Sequence, residues 1–396
     1  MNPQRRRWLL APAWAALAGA GPPASAGRSD APDDDDRIRP GRRLAFPRDH
    51  GAHPGARIEW WYATGWLRAA RDRGDVFGFQ ITFFRSRTGL GEALPGRFAP
   101  RQLLFAHAAV TDLAGRRHLH AQRLLRWSGD ETLPEARARR ADTDLALGPW
   151  QLQRLAAPAL APPDPKAPGA AAPSGTGYRA LLAAAEAGFA LDLRLDPTQP
   201  LLLQGDAGYS RKGPQPGQAS HYYSQPQLSL QARLSLGSQA LALQGSGWLD
   251  HEWSDELLAP GATGWDWTGI NLSDGGALTA FVLRRADGSV LWAGGSHRPV
   301  DGALRNFQPA EVVFEPLREW RSPATGARYP VAWRITTPAG RFELNALLDA
   351  QELDSRASTG TVYWEGLAEL LAPGGARVGL GYLEMTGRLR ALKLGF

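Results

Sequence analysis

Two acids and a histidine are interleaved with tryptophan in "GSGWLDHEWS", Gly245 to Ser254. Alternation along a strand puts Trp248, Asp250 and Glu252 on one face and Leu249, His251 and Trp253 on the other. Apolar surroundings disfavour the charged form of a carboxyl, and a carboxyl kept protonated near neutrality can serve as a general acid. Asp250, Glu252 and His251 are therefore candidates for acid–base work, although alternation sends His251 away from the two carboxyls.

The same mixture recurs. In "IEWWYATGW", Ile58 to Trp66, one face carries Ile58, Trp60, Tyr62, Thr64 and Trp66, and the other carries Glu59, Trp61, Ala63 and Gly65. A strand with one wet face alternates apolar and polar residues. This one predicts two covered faces, one turned to a barrel interior and one to a second domain, with Glu59 desolvated and its pKa raised. "GWDWTGINL" sets Trp265 and Trp267 around Asp266, and "VYWEGLAEL" carries Tyr363, Trp364 and Glu365. "FGFQITFFRSR" and "LLFAHAAVTD" add Arg85 and His107. The candidate ligand-binding set is thus Glu59, Trp60, Trp61, Tyr62, Trp66, His107, Trp248, Trp265, Trp267, Trp364 and Glu365, with Tyr222 from "SHYYSQPQ". Structural roles compete for several of these. A tryptophan on a strand is ordinarily core. His107 suits a hydrogen-bonded core position. Glu59 and Glu365 could form ion pairs with arginines such as Arg85 or Arg284. Asp250-His251-Glu252 lacks a further well-spaced ligand, so no metal is expected. No G-x-S-x-G frame is present, which disfavours a serine hydrolase.

These residues sit on an all-β pattern. "NLSDGGALTAFVLRRADGSVLWAGG" has two Asp-Gly turn signals between three strand-like runs, the pattern of a meander. "WRITTPAGRFELNALL" and "ELLAPGGARVGLGYLEMTG" repeat the hairpin grammar. Leu181 to Gly188 sits between strand-like runs and reads as β. Residues 157–177, rich in Pro, Ala and Gly, read as a disordered insertion. The domain boundary is expected near Ser224-Gln225-Pro226, giving a first domain over 44–226 and a second over 227–396. Closing each set of strands removes exposed edges, so two packed antiparallel β-barrels or sandwiches are expected. A barrel of about eight strands can hold one small ligand.

Arg5, Arg6 and Arg7, the apolar run Trp8 to Ala20, and Ala24-Ser25-Ala26 have the layout of an export signal over residues 1–26, of Sec or twin-arginine type. A solvated acidic leader over 27–43 would follow. The 396-residue chain has no cysteine, so no disulfide or lipid-modified thiol is available. Its formal charge of +6 includes those three arginines. The remaining arginines are scattered along the chain, many of them close to acids, so nucleic acid is not an expected partner. Periplasmic or secreted localisation is expected.

In order along the chain, "HPGARIEWWYATGWL", "FGFQITFFR", "FAHAAVTD", "LLLQGDAGYSRKG", "SHYYSQPQLSLQARLSL", "GSGWLDHEWS", "GWDWTGINLSDGGALTAFVLR" and "VYWEGLAEL…GLGYLEMTG" resemble the AttH-like and carotenoid 1,2-hydratase-like proteins. The likeness spans roughly Leu44 to Gly387. It implies two lipocalin-like domains with an aromatic pocket for a lipophilic small molecule and no cofactor. It also implies two functions from different classes. One is a binding protein beside an ABC transporter permease complex, in peripheral contact with the membrane. The other is a cofactor-free hydratase or isomerase acting on a C=C bond of a polyene or lipid, which implies Asp250 as the acid, Glu252 or His251 handling water, and Trp248, Trp265 and Trp267 facing the developing cation. The label of secreted hydrolase that some relatives carry is a third reading.

Overall fold

A computed structural model describes residues 36–69, 76–90, 94, 99–155 and 177–392. The expected signal peptide, most of the leader and nearly all of the insertion lie outside the described residues. Strands make up almost all the regular structure, with a few short 3-10 turns.

The first sheet contains β1 (Ile58–Ala69), β2 (Val76–Arg87), β3 (Gln102–Asp112), β4 (Arg117–Trp127), β5 (Ala136–Ala138), β6 (Asp144–Leu147), β7 (Trp150–Arg154), β8 (Tyr178–Ala184), β9 (Phe189–Asp196), β10 (Leu202–Leu203), β11 (Tyr209–Arg211), β12 (Ala219–Leu236) and β13 (Gln239–Ser254). The second contains β14 (Gly264–Leu272), β15 (Ala277–Arg284), β16 (Val290–Arg298), β17 (Arg305–Asn306), β18 (Val313–Arg321), β19 (Arg328–Thr337), β20 (Gly340–Ala346), β21 (Glu352–Ser355), β22 (Thr361–Leu371) and β23 (Arg377–Met385). In the first the order is β4-β3-β2-β1-β13-β12-β9-β8-β7-β6-β5, with β10 and β11 added on β12. β4 comes against β5, so this sheet is a nearly closed barrel. The second runs β17-β16-β15-β14-β23-β22-β20-β19-β18, with β21 on β22. The fold is all-β with two antiparallel sheets, as the sequence predicts.

Strand patterning explains where each face goes. In β9, Phe189, Leu191, Leu193 and Leu195 alternate into the barrel core. In the outer half of β12, Leu228, Leu230, Ala232, Leu234 and Leu236 do the same. β1 is covered on both faces, as its aromatics require. Trp61, Ala63 and Leu67 enter the barrel core, while Trp60, Tyr62 and Trp66 pack with Trp248, Trp267 and Tyr382 between the sheets.

The sheets part between Ser254 and Gly264, not at Ser224-Gln225-Pro226. β12 runs straight through that tripeptide and pairs with β13 on both sides of it. Pro226 is accommodated in a bulge between Gln225 and Leu228, where Gln227 takes φ 55. The proline interrupts one ladder contact rather than a domain. The end of the acidic leader also differs from expectation. Asp36 is buried, ion-paired at 3.0 Å with Arg48, and accepts the Gly55 N–H at 2.8 Å. An acid ion-paired with an arginine brought by the fold can be packed where a run of unpaired acids cannot.

Two glycines allow the sheets to approach. A Cβ on Gly78 would lie 2.8 Å from the Tyr382 hydroxyl, and one on Gly269 would lie 2.5 Å from the Trp267 ring and 3.2 Å from the Trp248 ring. Polar contacts fasten the junction. Asn271 Nδ2 donates to Gly247 O at 2.8 Å, Gln227 Nε2 to Gly276 O at 2.7 Å, and Ser296 Oγ to Gln204 Oε1 at 2.7 Å.

Candidate functional site

Register builds the site in rows. On the first sheet, Trp60 (β1), Glu252 (β13) and Tyr222 (β12) are cross-strand partners, and Tyr62, Asp250 and Ser224 form the next row on the same face. On the second sheet, Glu365 (β22), Glu384 (β23), Trp267 (β14) and Phe281 (β15) form one row. Directly opposed side chains on an antiparallel pair stand about 5 Å apart at Cβ. The two faces meet across a cleft with about 900 Å³ of atom-free space, counting the part open to solvent. Trp265, Leu257, Leu258, Tyr363 and Lys212 complete much of its lining.

Four carboxyls therefore share one aromatic cleft. Trp248 Nε1 donates to Asp250 Oδ1 at 2.7 Å, and the Tyr222 hydroxyl donates to Oδ2 at 2.8 Å. Burial nevertheless pushes the Asp250 carboxyl up to about 7, against the pull of Ser224, Trp248 and Tyr222. Burial also raises Glu384 to about 7, with further push from the acids nearby. Glu365 is raised well above its ordinary value by burial and by Glu384 facing it. Glu252 is raised by burial and held back by Lys212, whose Nζ lies 3.7 Å from Glu252 Oε1. In such a cleft Asp250 and Glu384 keep a proton up to near neutrality, the state a proton donor needs.

Behind the second-sheet wall stands His107. Its Nδ1 is 2.7 Å from the Tyr363 hydroxyl and its Nε2 is 2.8 Å from Ser358 Oγ. Ser358 donates its own proton onward to Gln122 Oε1 at 2.6 Å. His107 Nε2 must then be the donor to Ser358, which leaves Nδ1 to accept from Tyr363. Burial lowers the His107 pKa to about 3, consistent with this neutral tautomer.

The opposite face of the same strands holds a different assembly. Glu59 Oε1 meets His53 Nδ1 at 2.7 Å and His251 Nε2 at 2.9 Å, while Arg85 Nε donates to Oε2 at 2.7 Å. His53 Nε2 continues to Asp49 Oδ1 at 3.0 Å. The His53 ring stacks on Trp253 at 3.7 Å between centroids, and the His251 ring stacks on Trp61 at 4.5 Å. Burial alone would push Glu59 up, but Arg85 together with His53 and His251 holds it well below the usual carboxylate range. The sequence reading of a raised Glu59 pKa is thus reversed, because its ion-pairing alternative with Arg85 is the one that forms. His53, Glu59 and His251 offer three metal-ligand types close together. Their direct N···O separations are those of hydrogen bonds, and a guanidinium occupies the second carboxylate oxygen, so the trio is an ion network.

Of the residues singled out from the sequence, Trp60, Tyr62, Tyr222, Asp250, Glu252, Trp265, Trp267 and Glu365 line the cleft. Trp248 supports Asp250 from beside it. The others are elsewhere. Glu59, Trp61 and His251 turn into the barrel, as alternation dictates for His251. Trp66 lies between the sheets with the Arg68 guanidinium 5.2 Å from its ring centroid. His107 reaches the cleft only through Tyr363. Trp364 belongs to the core of the second sheet, where its Nε1 donates to Asp349 O at 2.7 Å. Arg284 pairs with Asp266 at 2.7 Å rather than with Glu365. Sequence reasoning missed Glu384 and Lys212. Glu384 sits in "GYLEMTG" with no tryptophan beside it, and its only signal is alternation with buried Leu383 and Met385. Lys212 lies in "SRKGP", which reads as a surface turn.

The sequence model of the AttH-like family matches residues 37–388. The crystal structure of a protein from Nitrosomonas europaea assigned as AttH is 42% identical, covers 89% of this chain and 99% of its own, and superposes with a TM-score of 0.77. Kievitone hydratase from Nectria haematococca is 12% identical over 87% of this chain and 93% of its own, with a TM-score of 0.62, a likeness of fold. No curated protein matches. With the family pattern running through nearly all described residues, and a relative of such identity along the same length, the chain belongs to the AttH-like family.

Proposed function

We propose that the cleft between the sheets binds a lipophilic small molecule and acts on a C=C bond in it by acid–base chemistry, as a cofactor-free hydratase or isomerase. The observation that carries this reading is Asp250, a carboxyl that burial pushes up to about 7, fixed by Trp248 and Tyr222 and facing an aromatic cleft. A cleft serving only to hold a lipid has no use for four buried carboxyls, each of which costs desolvation whenever it ionises. In the hydration, Asp250 gives its proton to one alkene carbon. The π electrons form that C–H bond, and the positive charge left on the other carbon faces Trp265 and Trp267. Water adds there and passes a proton to Glu252, the carboxyl that Lys212 draws back toward its ionised form. That proton returns to Asp250, so the acid set is restored. A neighbour in fold bears the name of a hydratase. That name assigns no role to any residue here, and the reading rests on the cleft.

Retention without conversion is a second reading, favoured by the aromatic lining and the signal-like N-terminus. In it the chain is a periplasmic carrier working beside an ABC transporter. The two readings separate on native protein extracted with organic solvent and analysed by mass spectrometry. A pair of bound molecules differing by one water supports the hydratase. A single intact lipophile, with Asp250→Asn leaving both its uptake and its fate unchanged, refutes catalysis by this acid.

A further inference from the structure

Lys212 is one of three lysines in a chain that otherwise uses arginine for its positive charge. It follows β11, and its backbone N–H donates to Gln218 O at 2.8 Å, which anchors the turn. Its side chain enters the cleft, and the residue as a whole is 8% exposed. The ammonium sits 5.6 Å from the centroid of the Trp60 ring. Glu252 Oε1, at 3.7 Å, is within electrostatic reach but beyond a hydrogen bond. Nζ makes no hydrogen bond to any described residue. An ammonium carries three N–H donors, and leaving them unmatched away from water is costly. A lysine serving only as the counter-charge of Glu252 would close that gap. Arginine, with its planar fork, would serve a two-pronged pair better than a point donor does. The nearby Asp250 is already engaged, with Trp248 donating to one oxygen and Tyr222 to the other.

We propose that Lys212 binds an oxygen acceptor of the ligand, a carbonyl or hydroxyl oxygen, so that the molecule taken by this cleft is an oxygenated lipophile rather than a hydrocarbon. This rests on the reading of the cleft as the ligand site. A carboxylate headgroup fits less well, because Glu252 already shares the ammonium's charge. The oxygen at Lys212 also fixes which end of the ligand lies beside Glu252 and Trp60, and so which carbons can reach Asp250.

Two probes of equal heavy-atom count test this, 2-acetylnaphthalene and 2-isopropylnaphthalene, titrated against the full chain by quenching of its tryptophan fluorescence. The quantity read is the ratio of the hydrocarbon's Kd to the ketone's, which cancels general changes in the cleft. Losing a hydrogen bond from a charged donor is worth about 1.5 kcal/mol or more, so the ratio is expected to fall about tenfold in Lys212→Met. The double variant Lys212→Met/Glu252→Gln avoids stranding a carboxylate and is expected to show the same fall. A ratio within about twofold of the unmodified protein's in the double variant overturns the assignment of Lys212 while leaving the cleft as a ligand site. Failure of both probes to bind the unmodified protein overturns both.

Discussion

Replacing Asp250 by asparagine keeps the side chain's shape and removes its titration. In the folded chain this carboxyl titrates at about 7 against an ordinary 3.8. Between those values the folded protein holds a proton that the unfolded chain has released. Its contribution to stability is therefore present at low pH and lost as pH rises through 7. Each pH unit in that window is worth about 1.4 kcal/mol, so the unmodified protein should lose about 3 kcal/mol through this one group between pH 5 and pH 8. The variant has no such slope. Its amide still accepts from Trp248, but the Tyr222 hydroxyl must turn to accept a hydrogen bond rather than donate one, at a cost of about 1 kcal/mol. Asp250→Asn should then be the less stable protein by about 1 kcal/mol at pH 5 and the more stable by about 2 kcal/mol at pH 8. Urea unfolding at the two pH values measures this crossover. A stability difference that is the same at both would refute the claim that Asp250 is a neutral acid in the native cleft. Loss of turnover, with uptake retained, would tie that state to function.

Glu59→Gln leaves Arg85 buried without its carboxylate and should cost about 3–5 kcal/mol, while naphthalene probes still bind the cleft; a variant as stable as the parent would show the network to be expendable. Glu59 and Asp49 both titrate below their ordinary values, Asp49 through His53, the Ala45 N–H and Arg42, which outweigh its burial. Their stabilisation is present above the ordinary carboxylate range and is lost as pH falls below about 4, so acid unfolding should begin there and should be less steep in Glu59→Gln. Glu384→Gln removes the charge opposing Glu365, whose side-chain carbon signal in NMR should then titrate at lower pH; an unmoved titration would place the coupling elsewhere. Gly269→Ala puts a methyl against the Trp267 and Trp248 rings, which should cost about 1–3 kcal/mol and loosen the indole that holds Asp250, as a shift in tryptophan emission reports.

Much of this site was legible because strand alternation is a local property. "GSGWLDHEWS" assigns Asp250 and Glu252 to one face and His251 to the other from period two alone, and β13 does the same. The doubled aromatics of "IEWWYATGW" likewise declare two covered faces. What alternation cannot give is the partner. Glu59 gains Arg85 through the register of β1 with β2, and gains His53 from the loop before β1, so its titration moves opposite to the one burial implies. Glu384 becomes an acid of the cleft because β23 pairs with both β22 and β14, placing it between Glu365 and Trp267. Lys212 enters from a turn whose sequence looks wet. Pro226 misled the reading of domains because a bulge absorbs it, and local composition does not distinguish a bulge from a linker.

β13 carries two chemistries back to back. Asp250 faces the cleft as an acid that holds its proton, with Glu252 beside it against Lys212, and His251 between them in sequence faces a carboxylate that has lost its own. Moving the strand by a single residue against β1 would exchange the faces, presenting His251 to the cleft and driving Asp250 or Glu252 toward the barrel interior. A slip of two would keep the faces but separate Asp250 from the Tyr62 row and His251 from Glu59. The ion network thus works as a gauge for the cleft on the far side of the sheet. It penalises every misplacement of the acids, although it touches neither Asp250 nor Glu252. A single-residue insertion in β1 or β13 should for that reason be more damaging than any one substitution of a cleft residue.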